Sequence, residues 1–188
     1  PFDEGALLPE TYAYQWGDSR AALIRRAEAA MEAALAEIWA SRAPNLPLRT
    51  PREALVLASI VERETGKADE RARVAGVFIN RLRRNMPLQS DPTAAYAAAD
   101  GGVLDRPLTR ADLDRDHPFN TYRIRGLPPG PIASPGRDSL RAAVQPEATE
   151  FIFFVADGNG GHAFARTLEE HNRNVARWRE IERARGLR

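Results

Sequence analysis

The chain has 188 residues, which is enough for one ordinary domain with a sizeable buried core. It contains no cysteine, so disulfides, thiolate metal sites and cysteine nucleophiles are excluded. Apolar residues make up 43% and charged residues 28% of the chain, the balance of a globular protein and not of a disordered one. Its 27 basic residues nearly cancel its 26 acidic residues, and the net charge of +1 argues against a large phosphate-binding face.

No membrane-spanning segment is predicted. The longest apolar runs, over 54–61 and 151–156, fall far short of the roughly 18 apolar residues that suggest a membrane span. The sequence has no recognisable secretory signal peptide either. All basic residues except Lys67 are arginine, and such a bias can reflect nucleic-acid binding. In the last helix, however, arginine alternates with glutamate, which is typical of a solvated helix surface.

Three helices are predicted in the first half of the chain. Asp18 or Ser19 supplies an N-cap for the first helix, and apolar residues continue at helical spacing to about residue 40. The second helix has the strongest start signal, because Thr50, Pro51 and Glu53 provide a cap, a first-turn proline and a capping-box partner. The predicted bounds are about 19–40, 50–65 and 70–84.

Short elements are predicted in the middle of the chain. Asp91 directly before Pro92 indicates a capped short helix, and Thr109 with Asp112 indicates another. The stretch 117–136 is rich in proline and glycine but also holds aromatic and aliphatic residues. A flexible linker does not need such residues, so we expect an ordered functional loop.

The last third combines helices with a hairpin. Ser134 and Pro135 predict the start of a helix, and Thr167 with Glu170 predicts a capping box for the final helix. The predicted bounds are a helix over 134–144, strands over 150–156 and 162–165, and a helix from 167. The sum is a single, mainly helical α+β domain over residues 1–188, with one small antiparallel sheet.

Glu64 is a candidate general acid. It follows Leu57, Ile60 and Val61 on a helix that is apolar almost all round, and such a helix is buried. Both desolvation and the negative end of the helix dipole disfavour a carboxylate there, so we expect a raised pKa. A carboxylic acid that stays protonated near neutral pH is suited to general acid catalysis of glycosidic cleavage.

The pair Glu62 and Glu64 also has a plain structural interpretation. Both are last-turn residues that can face solvent or pair with Arg63, Lys67 or Arg71. Two residues apart on a helix, their side chains diverge by about 200° and cannot act as a facing pair of carboxylates. If either takes part in catalysis, it acts singly.

Several ordered sequence blocks resemble those of the MltG (YceG-like) endolytic murein transglycosylases. The blocks lie at 57–65 (LASIVERET), 70–71 (ER), 74–82 (VAGVFINRL), 88–93 (LQSDPT), 120–122 (NTY), 126–132 (GLPPGPI), 154–158 (FVADG) and 170–172 (EHN). The resemblance runs from about Glu4 to Trp178. Because the blocks keep their order, it is far more specific than a lone short motif.

The resemblance implies a lysozyme-like, lytic-transglycosylase-like fold and a single catalytic glutamate. Carried over, that glutamate is Glu64, followed by Thr65 at the helix end, while Glu62 supports the site. The enzymes of this family cut the bond after N-acetylmuramic acid. The C6 hydroxyl of that sugar replaces water as the attacking group and leaves a 1,6-anhydro end, so no second carboxylate is needed.

Neighbouring polar residues are candidates for binding the sugar chain. Gln89 and Thr93 offer neutral donors, and Asn120 and Tyr122 offer an amide and an aromatic face suited to acetamido sugars. Tyr122 can equally be a core residue, and Asn120 a turn former. Asp91 is either a helix cap or a second carboxylate facing Glu64, and the cap is the interpretation we adopt.

The three histidines, His117, His162 and His171, lack the spacing of a zinc-binding helix, so neither a metal nor another cofactor is expected. His162 follows a glycine-rich turn and is expected to line the cleft. His171 is expected to pack within the last helix, with one ring nitrogen hydrogen-bonded.

The resemblance also implies partners and a location. It implies peptidoglycan glycan strands as substrate, peptidoglycan synthases as partners, and a catalytic domain in the periplasm or extracytoplasmic space at the outer face of the cytoplasmic (inner) membrane. The membrane segment and LysM-like domain typical of the family are not found in this sequence, so we expect a catalytic-domain fragment that meets the membrane only through a segment outside it.

Two other classes of function remain open. The chain can be a glycan-binding or scaffolding module with little activity in isolation, since glycan positioning can depend on the family's other domains. An arginine-rich nucleic-acid binder is the third possibility, and the near-zero net charge counts against it, so no nucleic acid is expected as a partner.

Overall fold

The computed structural model describes residues 2–186, and over that range it contains seven helices and two strands. The elements are α1 (Arg20–Ala40), α2 (Pro51–Glu64), α3 (Arg71–Arg83), α4 (Asp91–Ala98), α5 (Arg110–Asp114), α6 (Arg137–Val144), β1 (Phe153–Ala156), β2 (His162–Ala165) and α7 (Leu168–Ala184). The predicted α+β class, mainly helical with one small antiparallel sheet, is confirmed. Among the described residues, no helix has both the length and the apolar character that a membrane crossing requires.

Hydroxyl side chains cap four of the helices where the sequence predicts caps. In each case the oxygen accepts a hydrogen bond from a backbone N–H of the first turn. The caps are Ser19 for α1, Thr50 for α2, Thr109 for α5 and Thr167 for α7. Of these four caps, the one formed by Thr109 with Asp112 is also a complete, reciprocal capping box. The local sequence therefore determines most helix starts.

The start of α6 differs from the prediction. The helix begins at Arg137 with Gly136 as its N-cap, and not at Ser134. The Gly136 N–H and the Ser139 hydroxyl both donate to Glu62 Oε2, at 3.1 and 2.6 Å. A carboxylate from α2 therefore caps α6. Because this cap comes from another helix, the residues around position 134 do not reveal where α6 begins.

The sheet is shorter than predicted because its first strand begins at Phe153 and not at residue 150. The side-chain amide of Asn80 in α3 donates to the carbonyls of Thr149 and Phe151. These carbonyls bind α3 and not a partner strand. Four antiparallel pairs remain, from Phe153 opposite Ala165 to Ala156 opposite His162.

The centre of the core is α2. Every residue from 54 to 61 is buried, and the helix packs against α1, α3, α4 and α6. Ser59 is the polar residue of this run, and its hydroxyl donates to the Val56 carbonyl and accepts from the Ile132 N–H. Because the buried run leads directly to Glu64, packing of α2 fixes the position of that carboxylate.

A close approach between α3 and the segment before β1 depends on Gly76. A Cβ atom at this position would lie 2.6 Å from the Glu147 carbonyl oxygen and 2.9 Å from Thr149 Cγ2. The Glu147 N–H also donates to the Ala72 carbonyl, so this segment cannot retreat without losing a hydrogen bond.

Gly76→Ala should therefore lower the free energy of unfolding by about 1–2 kcal/mol, because the overpacking outweighs the roughly 1 kcal/mol that alanine gains in helix propensity. Urea unfolding followed by circular dichroism measures the change. Gly66→Ala is the matched control, since nothing lies within 4 Å of its added Cβ. A Gly76→Ala protein as stable as the wild type would contradict the close approach.

Candidate active site

Glu64 is the last residue of α2 and lies between two adjoining cavities. The first, of about 370 Å³, is bounded by α3, the segment before α4, Tyr122, the hairpin and α7. The second, of about 280 Å³, lies towards the glycine-rich hairpin turn. Both are lined by Glu64, Ala156, His162 and Trp178, so the glutamate stands at the junction of one elongated cleft.

The surroundings of Glu64 favour its protonated form. Its Oε1 accepts a hydrogen bond of 2.6 Å from the Ser90 hydroxyl. Burial and the charge of Asp91 raise the pKa of Glu64 to about 7, although the Ser90 hydrogen bond and the charge of Arg81 act in the opposite direction. Burial is the largest effect. The group is therefore divided between acid and carboxylate near neutral pH, as the buried helix led us to expect.

Asp91 is not a helix cap, and the predicted cap is wrong. Ser90 is the N-cap residue of α4 but makes no capping hydrogen bond with its side chain, and Asp91 is the first residue of the helix. Instead Asp91 Oδ1 accepts the Tyr122 hydroxyl at 2.6 Å, and both residues line the first cavity. Burial and the nearby Asp91 charge raise the pKa of Tyr122, so its hydroxyl remains a donor.

Arg81 is a cleft residue that the sequence analysis did not identify. It is buried within α3 and donates to the Ile152, Pro87 and Leu88 carbonyls, at 2.7–3.1 Å. The sequence did carry a signal, because Arg81 continues the i, i+3, i+4, i+7 stripe begun by Val74. An arginine on the buried side of an amphipathic helix requires specific partners.

Gln89 belongs to the same wall of the cleft. Its Oε1 accepts from Arg81 Nη1 at 3.1 Å, and its backbone has a φ of +51°, a region that few non-glycine residues adopt. The Gln89 N–H donates to the Thr121 carbonyl. The exposed Gln89 side chain is thus held against Arg81 through Oε1, while its side-chain nitrogen Nε2 stays available to a ligand.

Thr93 and Asn120 lie outside the cleft. Both are fully buried. Thr93 Oγ1 lies 2.7 Å from Thr121 Oγ1 and donates to the Ser90 carbonyl, and the Ser90 N–H donates to Thr121 Oγ1. The amide of Asn120 donates to carbonyls at the end of α5. These residues fix the segment that presents Ser90 to Glu64.

Glu62 also lies outside the cleft. Its carboxylate caps α6 through Gly136 and Ser139, on the side of α2 away from Glu64. Thr65 is the C-cap residue of α2, with a buried side chain that accepts from the Lys67 N–H and lines the second cavity. The structure brings only one of the two glutamates into the cleft.

Two histidines line the cleft. His162 faces both cavities, and its Nδ1 lies 2.8 Å from Glu70 Oε2. His171 stacks on Phe153 with a centroid distance of 4.9 Å. Its Nδ1 is buried without a hydrogen-bond partner among residues 2–186, so the expected hydrogen bond is not found at this nitrogen. Burial lowers the pKa of His171 and favours its neutral form.

The raised pKa of Glu64 makes stability depend on pH. Its folded pKa of about 7 exceeds the ordinary value of 4.5, so folding favours the protonated form and stability falls as pH rises from about 4.5 to 7. Glu64→Gln removes this loss and should raise the free energy of unfolding at pH 8 by up to about 3 kcal/mol, with little change at pH 4.5. Urea unfolding at both pH values measures the difference.

The control for this prediction is Glu180→Gln, which removes an exposed carboxylate from α7. It should leave the difference between pH 4.5 and pH 8 as it is in the wild type. A Glu64→Gln protein with the same pH dependence as the wild type would show that this carboxyl ionises freely in the folded protein.

Known proteins resemble the chain over most of its length. The YceG-like family profile matches residues 2–177. The "Endolytic murein transglycosylase" of Bacillus subtilis (strain 168) is 39% identical over 170 residues, which are 90% of this chain and 46% of that protein. The protein of the same name from Streptococcus pneumoniae serotype 2 is 37% identical over 180 residues, 92% of this chain and 32% of its own length. The chain thus spans less than half the length of these relatives.

A solved structure extends the likeness to three dimensions. The 2.6 Å crystal structure of a yceG-like protein from Listeria monocytogenes superposes with a TM-score of 0.77 at 35% identity. The match covers 90% of this chain and 54% of that one. With the family profile spanning nearly all of the described residues, the chain belongs to the YceG-like family.

Proposed function

We propose that this chain is the catalytic domain of an endolytic peptidoglycan lytic transglycosylase, with Glu64 as its single acid and base. The observation that carries the proposal is a carboxyl group with a pKa of about 7 at the junction of two cavities. A cleft that continues on both sides of the acid suits cleavage within a glycan strand. The names of the relatives from Bacillus and Streptococcus support the same substrate class.

The reaction needs one proton and returns it. Glu64 donates its proton to the glycosidic oxygen as the bond from that oxygen to C1 of N-acetylmuramic acid breaks. The C6 hydroxyl of the same sugar then bonds to C1, and its proton passes to the Glu64 carboxylate. The products are a 1,6-anhydro end and a free hydroxyl on the leaving sugar. Because the attacking hydroxyl is tethered to the reacting ring, its effective concentration is high.

Neighbouring groups stabilise Glu64 while it is ionised. The Ser90 hydroxyl donates to its Oε1, and the buried charge of Arg81 favours the carboxylate. Asp91 opposes ionisation through its own charge. The balance keeps the pKa close to neutral, where a group that must first give and then take a proton works best.

The cleft surface offers separate contacts to the sugars. The side-chain amide of Gln89, the Tyr122 ring and His162 line it with groups that suit hydroxyl and acetamido substituents, and Trp178 offers an aromatic face that the sequence analysis did not include. We assign Glu62, Thr65, Thr93 and Asn120 to support of this surface and not to direct sugar contact. The basis of that assignment is the burial of Thr65, Thr93 and Asn120 and the hydrogen bonds that all four side chains make within the protein.

The substrate class suggests a location. Peptidoglycan lies outside the cytoplasmic membrane, so the domain would act in the extracytoplasmic space, at the outer face of that membrane and beside the synthases that make glycan strands. Cross-linking of the full-length parent protein in cells would test both the location and the synthase partners.

Glu64→Gln should abolish anhydro-ended products, with a loss of at least about 100-fold, because the amide cannot donate and regain the proton. Mass spectrometry of digested, uncrosslinked glycan strands measures those ends. Glu62→Gln is the matched control and should keep most of the activity, since it lies outside the cleft. Full activity of Glu64→Gln would contradict the assignment. A wild-type chain that binds strands but never cleaves them would indicate a glycan-binding module instead.

Asp91→Asn should leave the anhydro end as the dominant product and reduce the rate by less than about 100-fold, since asparagine can still accept the Tyr122 hydroxyl. Removing the Asp91 charge should also lower the pKa of Glu64, so the fall in activity at alkaline pH should begin at a lower pH. The product masses and the pH profile measure the two effects. Ends heavier by one water in the wild-type digest would instead make Asp91 a water-activating base.

A further inference from the structure

Glu70 contacts His162 through both of its carboxylate oxygens. Oε1 accepts the backbone N–H of His162 at 3.1 Å, and Oε2 lies 2.8 Å from the ring nitrogen Nδ1. Glu70 is the N-cap residue of α3, and His162 is the first residue of β2. Their side chains are only 11% and 15% exposed, so water competes little for these hydrogen bonds. One carboxylate thus fixes both the backbone and the ring of one cleft residue.

This contact determines where the imidazole carries its proton. An ionised carboxylate only accepts hydrogen bonds, so Nδ1 must be the donor to Glu70. In the neutral ring the proton then lies on Nδ1, and Nε2 is an acceptor. A free histidine side chain in water somewhat prefers the other tautomer, with the proton on Nε2. The contact with Glu70 therefore predicts a tautomer different from that of the free side chain.

The surroundings hold the ring in place. The Phe154 ring meets it edge-on, with a centroid distance of 5.2 Å. At Gly161 an added Cβ would lie 2.5 Å from Glu70 Oε1, so the turn passes directly over the carboxylate. Asp157, the carboxylate that belongs to the turn itself, accepts hydrogen bonds from the N–H groups of Asn159 and Gly161. The ring and the carboxylate are thus held in contact by the packing of Phe154 and by the course of the turn.

We propose that Glu70 is a positioning residue that holds His162 as the Nδ1–H tautomer, so that Nε2 accepts a hydrogen bond from a hydroxyl or acetamido N–H of the sugar bound beside Glu64. The part that involves sugar rests on the proposed function. His162 lines both cavities that meet at Glu64, and Nδ1 is already engaged, so Nε2 is the nitrogen left for a ligand.

The tautomer is measured directly by long-range ¹H–¹⁵N correlation NMR at a pH where the imidazole is neutral. The chain has only three histidines, so single substitutions of His117 and His171 complete the assignment. We expect His162 of the wild type to carry its proton on Nδ1. In Glu70→Ala we expect a mixture dominated by Nε2–H. Glu150→Gln is the matched control, because it removes an exposed carboxylate just before β1 and should leave the tautomer unchanged.

Kinetics on glycan strands test the link to the sugar. Glu70→Ala and His162→Ala should each lower kcat/KM about tenfold, as loss of one aligned hydrogen bond does, with the change mainly in KM. The double variant should lose no more than the larger single loss, because Glu70 acts through His162. Glu70→Gln, which keeps one acceptor oxygen, should recover part of the loss.

The wild-type tautomer requires no variant, so the proposal can be tested even if Glu70→Ala fails to fold. An Nε2–H tautomer in the wild type would overturn it, as would independent, additive losses in the double variant. The result is separable from the proposed function. An Nδ1–H tautomer in a chain without activity would leave the pairing standing and reject the reaction, whereas an active chain with the other tautomer would reject only the role of Glu70.

Discussion

The structure depends on the burial of α2 up to its last turn. Because residues 54–61 are buried on every side, the packing of the helix fixes the directions in which Glu62 and Glu64 leave it. The helical angle of about 200° between Glu62 and Glu64 then sends one carboxylate to the N-terminus of α6 and the other into the cleft. One glutamate caps a neighbouring helix, while the other is the residue to which we assign the chemistry in the proposed function. A single packing constraint thus separates two neighbouring residues of the same type into different roles.

The segment that faces α2 across the cleft is organised by a buried hydroxyl network. Thr93 and Thr121 join the start of α4 to the loop that carries Tyr122, and Ser90 lies between them. Ser90 then donates its own hydroxyl to Glu64. Thr93, a candidate binding residue, is therefore buried in this network and lies outside the cleft. Since buried polar groups require partners, this network also explains why a proline- and glycine-rich loop is ordered.

The features of this fold that were predicted correctly are those set by residues close together in the sequence. The hydroxyl caps at Thr50 and Thr109, the apolar run before Glu64 and the hairpin were all predictable for that reason. Three of the departures from prediction share another cause, because a partner distant in sequence decides each of them. Glu62 caps α6, the carbonyls before β1 bind Asn80, and Tyr122 binds the carboxylate of Asp91. Periodicity alone does not identify such partners. Arg81 is a different case. We did not identify it as a cleft residue, although its place on the apolar stripe of α3 was visible in the sequence.

The way in which Arg81 is bound explains how a cation and an acid can share this cleft. A direct ion pair would favour the carboxylate and move the pKa of Glu64 towards or below its ordinary range. Within the described part of the chain, however, the hydrogen bonds of Arg81 go to uncharged oxygens, the carbonyls of Pro87, Leu88 and Ile152 and the Gln89 amide. Its charge therefore acts on Glu64 from a distance, as a weaker influence than burial. In the proposed reaction, the guanidinium would therefore stabilise the Glu64 carboxylate once it has formed, without removing its proton beforehand.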